Sequence, residues 1–376
     1  MNESIWRSVS LGEVLPFKYG KNLPALKRTR SGEYNVVSSA GIVDTHCEAV
    51  TSGPAIVIGR KGTVGSLTYC KEPVWPTDTA FYTLGTDDCG VQFGYYLLQL
   101  LPLSHMNNDS AVPGLNRNDA ESLIVQLPSV SVQQDIVSVL GALDDKIAAN
   151  NVAIKKVDSL RRAIWEKLIM VGSGTCPLSS LAKFINGGAF TKNASGTGRV
   201  VARIAELNSG IGNNTVFNDI EVDLKNVANP GDLLFSWSGT LMVKRWPYDE
   251  AIINQHIFKV IPSSGIGVWA LELIIGSQLQ HFQAIAAGKA TTMGHIKRSD
   301  LDEEVAVPTV ISDSIDALGD YLWKFATQFE QENQILARTR DELLPLLMSG
   351  KISVRDAEEA VAEVGVEKRE DEGNVQ

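Results

Sequence analysis

The chain has 376 residues, enough for two or three domains with separate cores. Its 44% hydrophobic and 21% charged residues are those of an ordinary globular protein, and no apolar run approaches the ~18–20 residues of a membrane span. The net charge of −10 is unevenly spread. Residues 1–130 hold 10 basic and 12 acidic groups, 131–172 hold 6 and 5, 173–310 hold 11 and 12, and 311–376 hold 7 and 15, so a basic face on either large segment is not excluded.

The N-terminal MNESIWRSVSLGE lacks the basic-then-apolar order of a signal peptide. Residues 1–130 then mix short β-rich runs (AIVIG, FYTL) with a short helical one (GYYLLQLL), which predicts an α+β unit. This unit closes in GLNRNDAESLIVQLP (114–128). A long helix follows over 131–172, with Ile136, Leu143, Asn150, Val157 and Ile164 seven apart and Leu140, Ile147, Ile154, Arg161 and Leu168 between them. A second mixed unit spans 173–310 (DLLFSW, HIFKVI, WALELIIGSQLQHF) and closes in GHIKRSDLDEEVAVP (294–308). A second heptad helix spans 311–352: Ile315, Leu322, Phe329, Leu336 and Leu343 interleave with Gly319, Ala326, Asn333, Arg340 and Leu347. The remaining 353–376 form an acidic tail that reads as solvated and partly helical over 355–364.

The layout is an internal duplication. Each closing passage starts at a glycine, carries a basic residue and then an aspartate (Asp119, Asp300), and stops at a proline (Pro128, Pro308). VSLGEVLPFKYG answers PLSSLAKFINGG, and GPAIVIGRKGTVGSL answers GDLLFSWSGTLMVKR, each with a Gly-Thr pair (Gly62-Thr63, Gly239-Thr240). If the two helices run antiparallel, Asn150 of the first faces Asn333 of the second. The two amides are expected to pair and fix register at some cost in stability.

This order of features, twice over, resembles the specificity subunit of type I restriction–modification enzymes. The resemblance covers about residues 5–352 and includes the helix ends LLMSGKI (346–352) and KLIMVG (167–172). The first helix has Gln133-Gln134 where that family usually has Glu-Gln, and the acidic tail lies outside the resemblance. It implies two target-recognition domains, each reading one half of a bipartite asymmetric DNA sequence, with the helix pair as spacer. It implies as partners double-stranded DNA, two modification (methyltransferase) subunits that bind S-adenosylmethionine, and restriction subunits that use ATP and Mg. The chain itself would hold no cofactor and act in a prokaryotic cytoplasm, without a membrane. Forty helical residues at ~1.5 Å each span about 60 Å, a ruler for placing two readers on one duplex. A homodimer would instead impose a palindrome.

Base readout and phosphate contacts need cations, amides and small hydroxyls. In the first unit the candidates are Lys21, Lys27, Arg28 and Arg30 in KNLPALKRTR, then Arg60, Lys61 and Thr63 in GRKGTVG, whose glycines allow close backbone approach. A solvated basic loop and a plain hairpin are the ordinary alternatives. In the second unit they are Thr191, Lys192, Arg199, Arg203, Ser238, Thr240, Lys244 and Arg245, with a third cluster of Lys289, Thr291, Thr292, His295, Lys297 and Arg298.

Catalytic signals are absent. There is no Asn-Pro-Pro-Tyr or Asp-Pro-Pro-Tyr motif, no glycine-rich nucleotide fingerprint and no metal-ligand spacing among the five histidines. Cys47, Cys70, Cys89 and Cys176 are scattered without a C-x-x-C pair, which argues against a zinc site or disulfide framework and fits a reducing compartment. Asp144-Asp145-Lys146 imitates a nuclease motif but lies on the heptad helix. Competing readings are a metal-dependent nuclease using Asp78, a protein–protein scaffold without DNA, and the specificity subunit of a related, BcgI-like restriction system.

Overall fold

The computed structural model describes residues 6–106, 114–263, 265–288 and 294–362. The chain divides into two units: residues 1–145 with 338–376, and residues 146–337.

The first unit holds β1 (Arg7–Ser10), α1 (Leu11–Val14), β2 (Lys18–Tyr19), β3 (Tyr34–Ser38), β4 (Gly41–His46), β5 (Ala55–Gly59), β6 (Leu67–Cys70), β7 (Val74–Pro76), β8 (Ala80–Thr83), α2 (Val91–Gln99), α3 (Arg117–Glu121) and β9 (Ile124–Leu127). An antiparallel sheet runs β2-β8-β5-β6, and a smaller one runs β4-β3-β7 with β3 parallel to β7. All five residues of AIVIG are buried, as expected of a β-branched run flanked by strands on both edges. Val57 faces Val37 and Val74 of the smaller sheet. Alternation turns Ile56 the other way, where a Cβ on Gly94 of α2 would lie 3.4 Å from its Cδ1. β1 and β9 close the unit as an antiparallel pair.

Next comes α4 (Val130–Val171), whose residues 146–171 belong to the second unit. That unit holds β10 (Ser173–Pro177), α5 (Leu178–Leu181), β11 (Ala182–Asn186), β12 (Arg199–Ala202), α6 (Ile204–Ser209), β13 (Phe217–Asn218), β14 (Val227–Ala228), β15 (Leu233–Ser236), β16 (Met242–Arg245), β17 (Ala251–Ile253), β18 (Ile257–Pro262), α7 (Val268–Gly288) and β19 (Glu304–Pro308). Its main sheet, β11-β18-β15-β16, repeats the first unit's order. Its second sheet, β13-β12-β17-β14, again contains one parallel pair, β12 with β17. β10 and β19 repeat β1 and β9. Along β15, Leu233 and Phe235 pack toward α7, whereas Leu234 packs toward Trp246 and Ile253 of the opposite core. The predicted duplication of α+β units is therefore a duplication of layers: helix, antiparallel sheet, mixed sheet.

The last long helix, α8 (Asp313–Met348), pairs with α4 in antiparallel sense within each unit. In the second unit Asn150 Nδ2 donates to Asn333 Oδ1 at 3.0 Å and to Glu332 Oε2 at 2.8 Å, while Asn333 Nδ2 turns to Asn151 Oδ1 at 3.0 Å. The expected asparagine pair is present, but the return bond goes to the neighbouring amide. Val157, Leu322 and Ala326 form the apolar seam, flanked by Ile154, Ile164 and Phe325. Phe329 stacks edge-on to Phe325 at 4.5 Å, and Ile147 and Leu336 are half-buried. Ile315 departs from the expected seam: it packs with Ile311 against the core around Trp269. In the first unit Ile136, Leu140, Leu143 and Leu343 are buried, and Arg340 Nη1 meets Asp144 Oδ1 at 2.6 Å.

The tail departs from a purely solvated segment. Residues 354–362 are helical, started by a reciprocal cap in which Asp356 N donates to Ser353 Oγ and Ser353 N to Asp356 Oδ2, and Ala357 is fully buried. Residues 363–376 lie outside the described residues. Cys70 and Cys89 are buried, and burial pushes their thiols up to about 11 and about 12.

Candidate nucleic-acid interface

In the first unit, the turn after β5 carries Arg60, Lys61 and Thr63. Leu115 N donates to Arg60 O at 2.9 Å, which fastens the closing passage to this turn. That passage starts α3, where Asn116 Oδ1 accepts from the amides of Asn118 and Asp119. Arg117 is thereby set beside β2, where Tyr19 is 54% exposed. The Arg60 and Arg117 guanidinium carbons lie 5.2 and 5.6 Å from the Tyr19 ring centroid, and Arg60 also covers Phe81 at 5.7 Å. Arg60 Nη1 donates to Asp78 O at 3.1 Å, and Arg117 Nε lies 3.5 Å from Glu121 Oε2.

Register identifies the equivalent place in the second unit. Ile58 opposes Phe81 as Phe235 opposes Phe258, so Arg60 corresponds to Trp237. Tyr19 opposes Phe81 as Asn186 opposes Phe258, so Tyr19 corresponds to Asn186. The closing passage attaches in the same way, with Ile296 N donating to Trp237 O at 3.0 Å. Trp237 Nε1 donates to Asn186 Oδ1 at 2.8 Å, and its ring lies near His256, Phe258 and His295. Arg298, matching Arg117, donates from Nη2 to Phe184 O at 3.2 Å.

Several residues expected on DNA gather at these two turns: Arg60, Lys61 and Thr63 in one, and Thr240, His295, Lys297 and Arg298 in the other, all but half-buried Arg60 exposed. Others do not join them. Lys21 and Lys27 are exposed. Arg28 and Arg30 lie 3.8 and 3.6 Å from the single carboxylate of Asp44, and Arg28 Nε is bonded to Leu23 O, so KNLPALKRTR is tied down at Arg28 while Lys21, Lys27 and Arg30 stay at the surface. Gly59 and Gly65 face their own chain, each with backbone within 2.3 Å of an added Cβ, so of the turn's glycines only Gly62 has room for an approaching phosphate.

In the second unit Thr191 and Lys192 are exposed on the turn after β11. Arg199 is paired with Glu250 at 2.6 Å, and Arg203 caps α6 through Glu206 and Asn214 O. Ser238 is buried. Lys244 is exposed, but Arg245 on the opposite face of β16 is 6% exposed in its side chain and paired with Glu330 at 2.7 Å; it is a structural cation, not a surface contact. Lys289, Thr291 and Thr292 lie outside the described residues.

Sequence reasoning missed Tyr19, Arg117, Asn186 and Trp237. Their only linear signal is the alignment of the two copies, FKYG with FING and NRND with KRSD. Asp78 is exposed, and among the described residues no group of three or more His, Cys, Asp or Glu side chains is placed to hold a metal ion. No described helix is long and apolar enough to cross a membrane.

Residues 3–158 match the family described as the type I restriction modification DNA specificity domain. No curated protein matches the chain. Among solved structures, the S subunit of a type I restriction-modification system from M. genitalium is similar at 15% identity, over 92% of this chain and 97% of that one, with a TM-score of 0.61. The HsdS subunit from Thermoanaerobacter tengcongensis matches at 16% identity over 94% and 98% of the two chains, with a TM-score of 0.32. The chain shares the fold of the former, and its match to the type I restriction modification DNA specificity domain family covers residues 3–158, less than half of its length.

Proposed function

We propose that the chain is the sequence-specific, non-catalytic DNA-recognition subunit of a type I restriction–modification complex. In this reading each unit presents one recognition face to one half of a bipartite asymmetric target, and α4 and α8 set the spacing. The helix pair docks two modification subunits, which bring S-adenosylmethionine, and restriction subunits bring ATP and Mg. The complex works in a prokaryotic cytoplasm.

One observation carries the reading. The two units repeat one backbone frame down to the bond that fastens the closing passage, yet they place different side chains at matched surface positions: Arg60 and Tyr19 against Trp237 and Asn186. A duplicated frame with divergent faces is what an asymmetric, two-part DNA site demands of a single chain.

The test is methylome sequencing of a host with and without this gene, with the methyltransferase partner present in both. The expected result is gene-dependent N6-methyladenine at one bipartite asymmetric motif. Methylation at the same motifs in both hosts would refute the recognition role.

A further inference from the structure

We infer that Arg60, held against Tyr19 and Phe81 beside Arg117, reads a guanine in the half-site of the first unit, and that the second unit reads its half-site without an arginine there. This rests on the DNA-recognition role proposed above and assigns chemistry to one contact within it.

The Arg60 guanidinium is fixed before any ligand arrives. Two rings lie at 5.2 and 5.7 Å from its central carbon, and Nη1 is tied to the Asp78 carbonyl at 3.1 Å. A phosphate also accepts the guanidinium fork, but it offers acceptor oxygens in many directions, so fixing the fork in one orientation favours a base edge over a phosphate. Charge is also not what this patch offers. Arg60, Lys61 and Arg117 stand among Asp78, Asp119 and Glu121. It offers direction: a planar fork of donors on a short turn, with its rotamer set by stacking. Among base edges, guanine presents two adjacent acceptors, O6 and N7, in the major groove, and the guanidinium fork matches them in bidentate fashion.

The second unit lacks this device at the matched place. Trp237 has a single donor, and it is spent on Asn186 Oδ1 at 2.8 Å. The arginine both copies keep in the closing passage, Arg298, donates to the Phe184 carbonyl and, unlike Arg60, lies over no ring among the described residues. The contact assigned to Arg60 therefore has no counterpart at the matched turn of the second unit.

The experiment selects binding sites for the full-length chain from a random duplex library and repeats the selection with Arg60→Lys and Arg60→Gln. Lysine keeps the charge and loses the fork. The expected result is a roughly tenfold to hundredfold loss of preference at one G·C pair of one half-site. Glutamine should move that preference toward adenine. Preserved preferences at the remaining positions of the same half-site report that the first unit is folded in each variant. Lys61→Ala should instead weaken all sequences alike and flatten the salt dependence. If Arg60→Lys weakens every sequence equally, alters both halves, or leaves the motif intact, the guanine assignment falls while DNA recognition stands. If the unaltered chain selects no motif, both fall.

Discussion

In the second unit Arg245 of β16 reaches the long helices through Trp323, whose ring it covers at 4.6 Å while Arg161 covers the same ring at 5.0 Å. Asp158, Glu272 and Glu330 surround these two cations. In the first unit the place of Arg245 is taken by Tyr69, since Tyr69 opposes Ile56 as Arg245 opposes Leu233. There the joint is aromatic: Tyr69 stacks on Tyr95 at 5.4 Å, and Tyr96 Oη donates to Asp144 Oδ2 at 2.6 Å. Arg161 and Arg340 occupy the same heptad position in the two helices, and so do Asp144 and Trp323. Duplication has thus kept one arginine at the same helix position in both joints and exchanged its main partner, a carboxylate in one copy and an indole in the other, while the second joint adds Arg245 from β16. The ionic joint is the more demanding. Arg161 Nε and Arg245 Nη1 are buried without a hydrogen-bond partner among the described residues, so the indole face, the carboxylates and the Trp269 carbonyl bonded to Arg161 Nη1 must offset the cost of desolvation.

The comparison breaks first at Arg245. Arg245→Ala leaves Glu330 facing a buried gap and should destabilise the second unit by about 3 kcal/mol, the lower end for a broken buried pair because Glu330 is 26% exposed. Native-state hydrogen exchange is the suitable measurement, since two units need not unfold together. Loss of protection should be confined to α7, β16 and the adjoining stretch of α8. An equal loss in β5 and β8 would show that the joints are not independent.

Gly319 is the next point. It takes the heptad position that Leu140 fills in the first copy, yet an added Cβ would lie 2.2 Å from the Trp269 ring, which is fully buried and bonded through Nε1 to Asp316. Gly319→Ala should therefore cost about 1–2 kcal/mol, an overpacking penalty less the ~1 kcal/mol alanine gains in a helix. A stabilised Gly319→Ala protein in thermal unfolding would mean that α8 stands further from Trp269 than the geometry shows.

Periodicity made the helices legible, and an antiparallel register was enough to bring Asn150 to Asn333 before any coordinates. Alternation could have gone further. In Met242–Arg245 adjacent side chains take opposite faces, so Lys244 and Arg245 could not both meet DNA; composition alone pooled them. The Tyr19–Arg60–Arg117 cluster was out of reach for a different reason. Its three members come from β2, the turn after β5 and α3, and only the sheet register and the bond from Leu115 N to Arg60 O bring them together. Trp237 escaped notice because a tryptophan beside a buried strand reads as core. The tail was legible in part: the helix at 354–362 falls where one was expected over 355–364, but its charge gave no sign that Ala357 is buried.

A smaller effect sharpens the aromatic side of the comparison. Tyr96→Phe removes the bond to Asp144 but leaves that carboxylate its 2.6 Å contact with Arg340, so the loss should be about 1 kcal/mol. Thermal unfolding of the variant measures it. A loss as large as that of Arg245→Ala would mean the tyrosine, not the ion pair, holds the first joint.

The smallest effect is a pH dependence of the ionic joint, and its sign is unusual. Burial raises the Glu272 carboxyl above its ordinary value of 4.5, and Arg161 only partly offsets this. The folded chain therefore binds the proton more tightly than the unfolded chain. A carboxylate of this kind costs stability above its raised pKa, and the cost is relieved as pH falls from there toward the unfolded value. Salt-bridged carboxylates with lowered pKa values behave oppositely. Glu272→Gln removes the titration while keeping the shape. The unfolding temperature of the wild type relative to Glu272→Gln should rise as the buffer goes from about pH 7 to about pH 5. A relative unfolding temperature that falls over that interval would mean that attraction to Arg161, at 3.4 Å, outweighs burial at this joint. The second unit would then hold its helices by charge pairing rather than by charges that tolerate one another around Trp323.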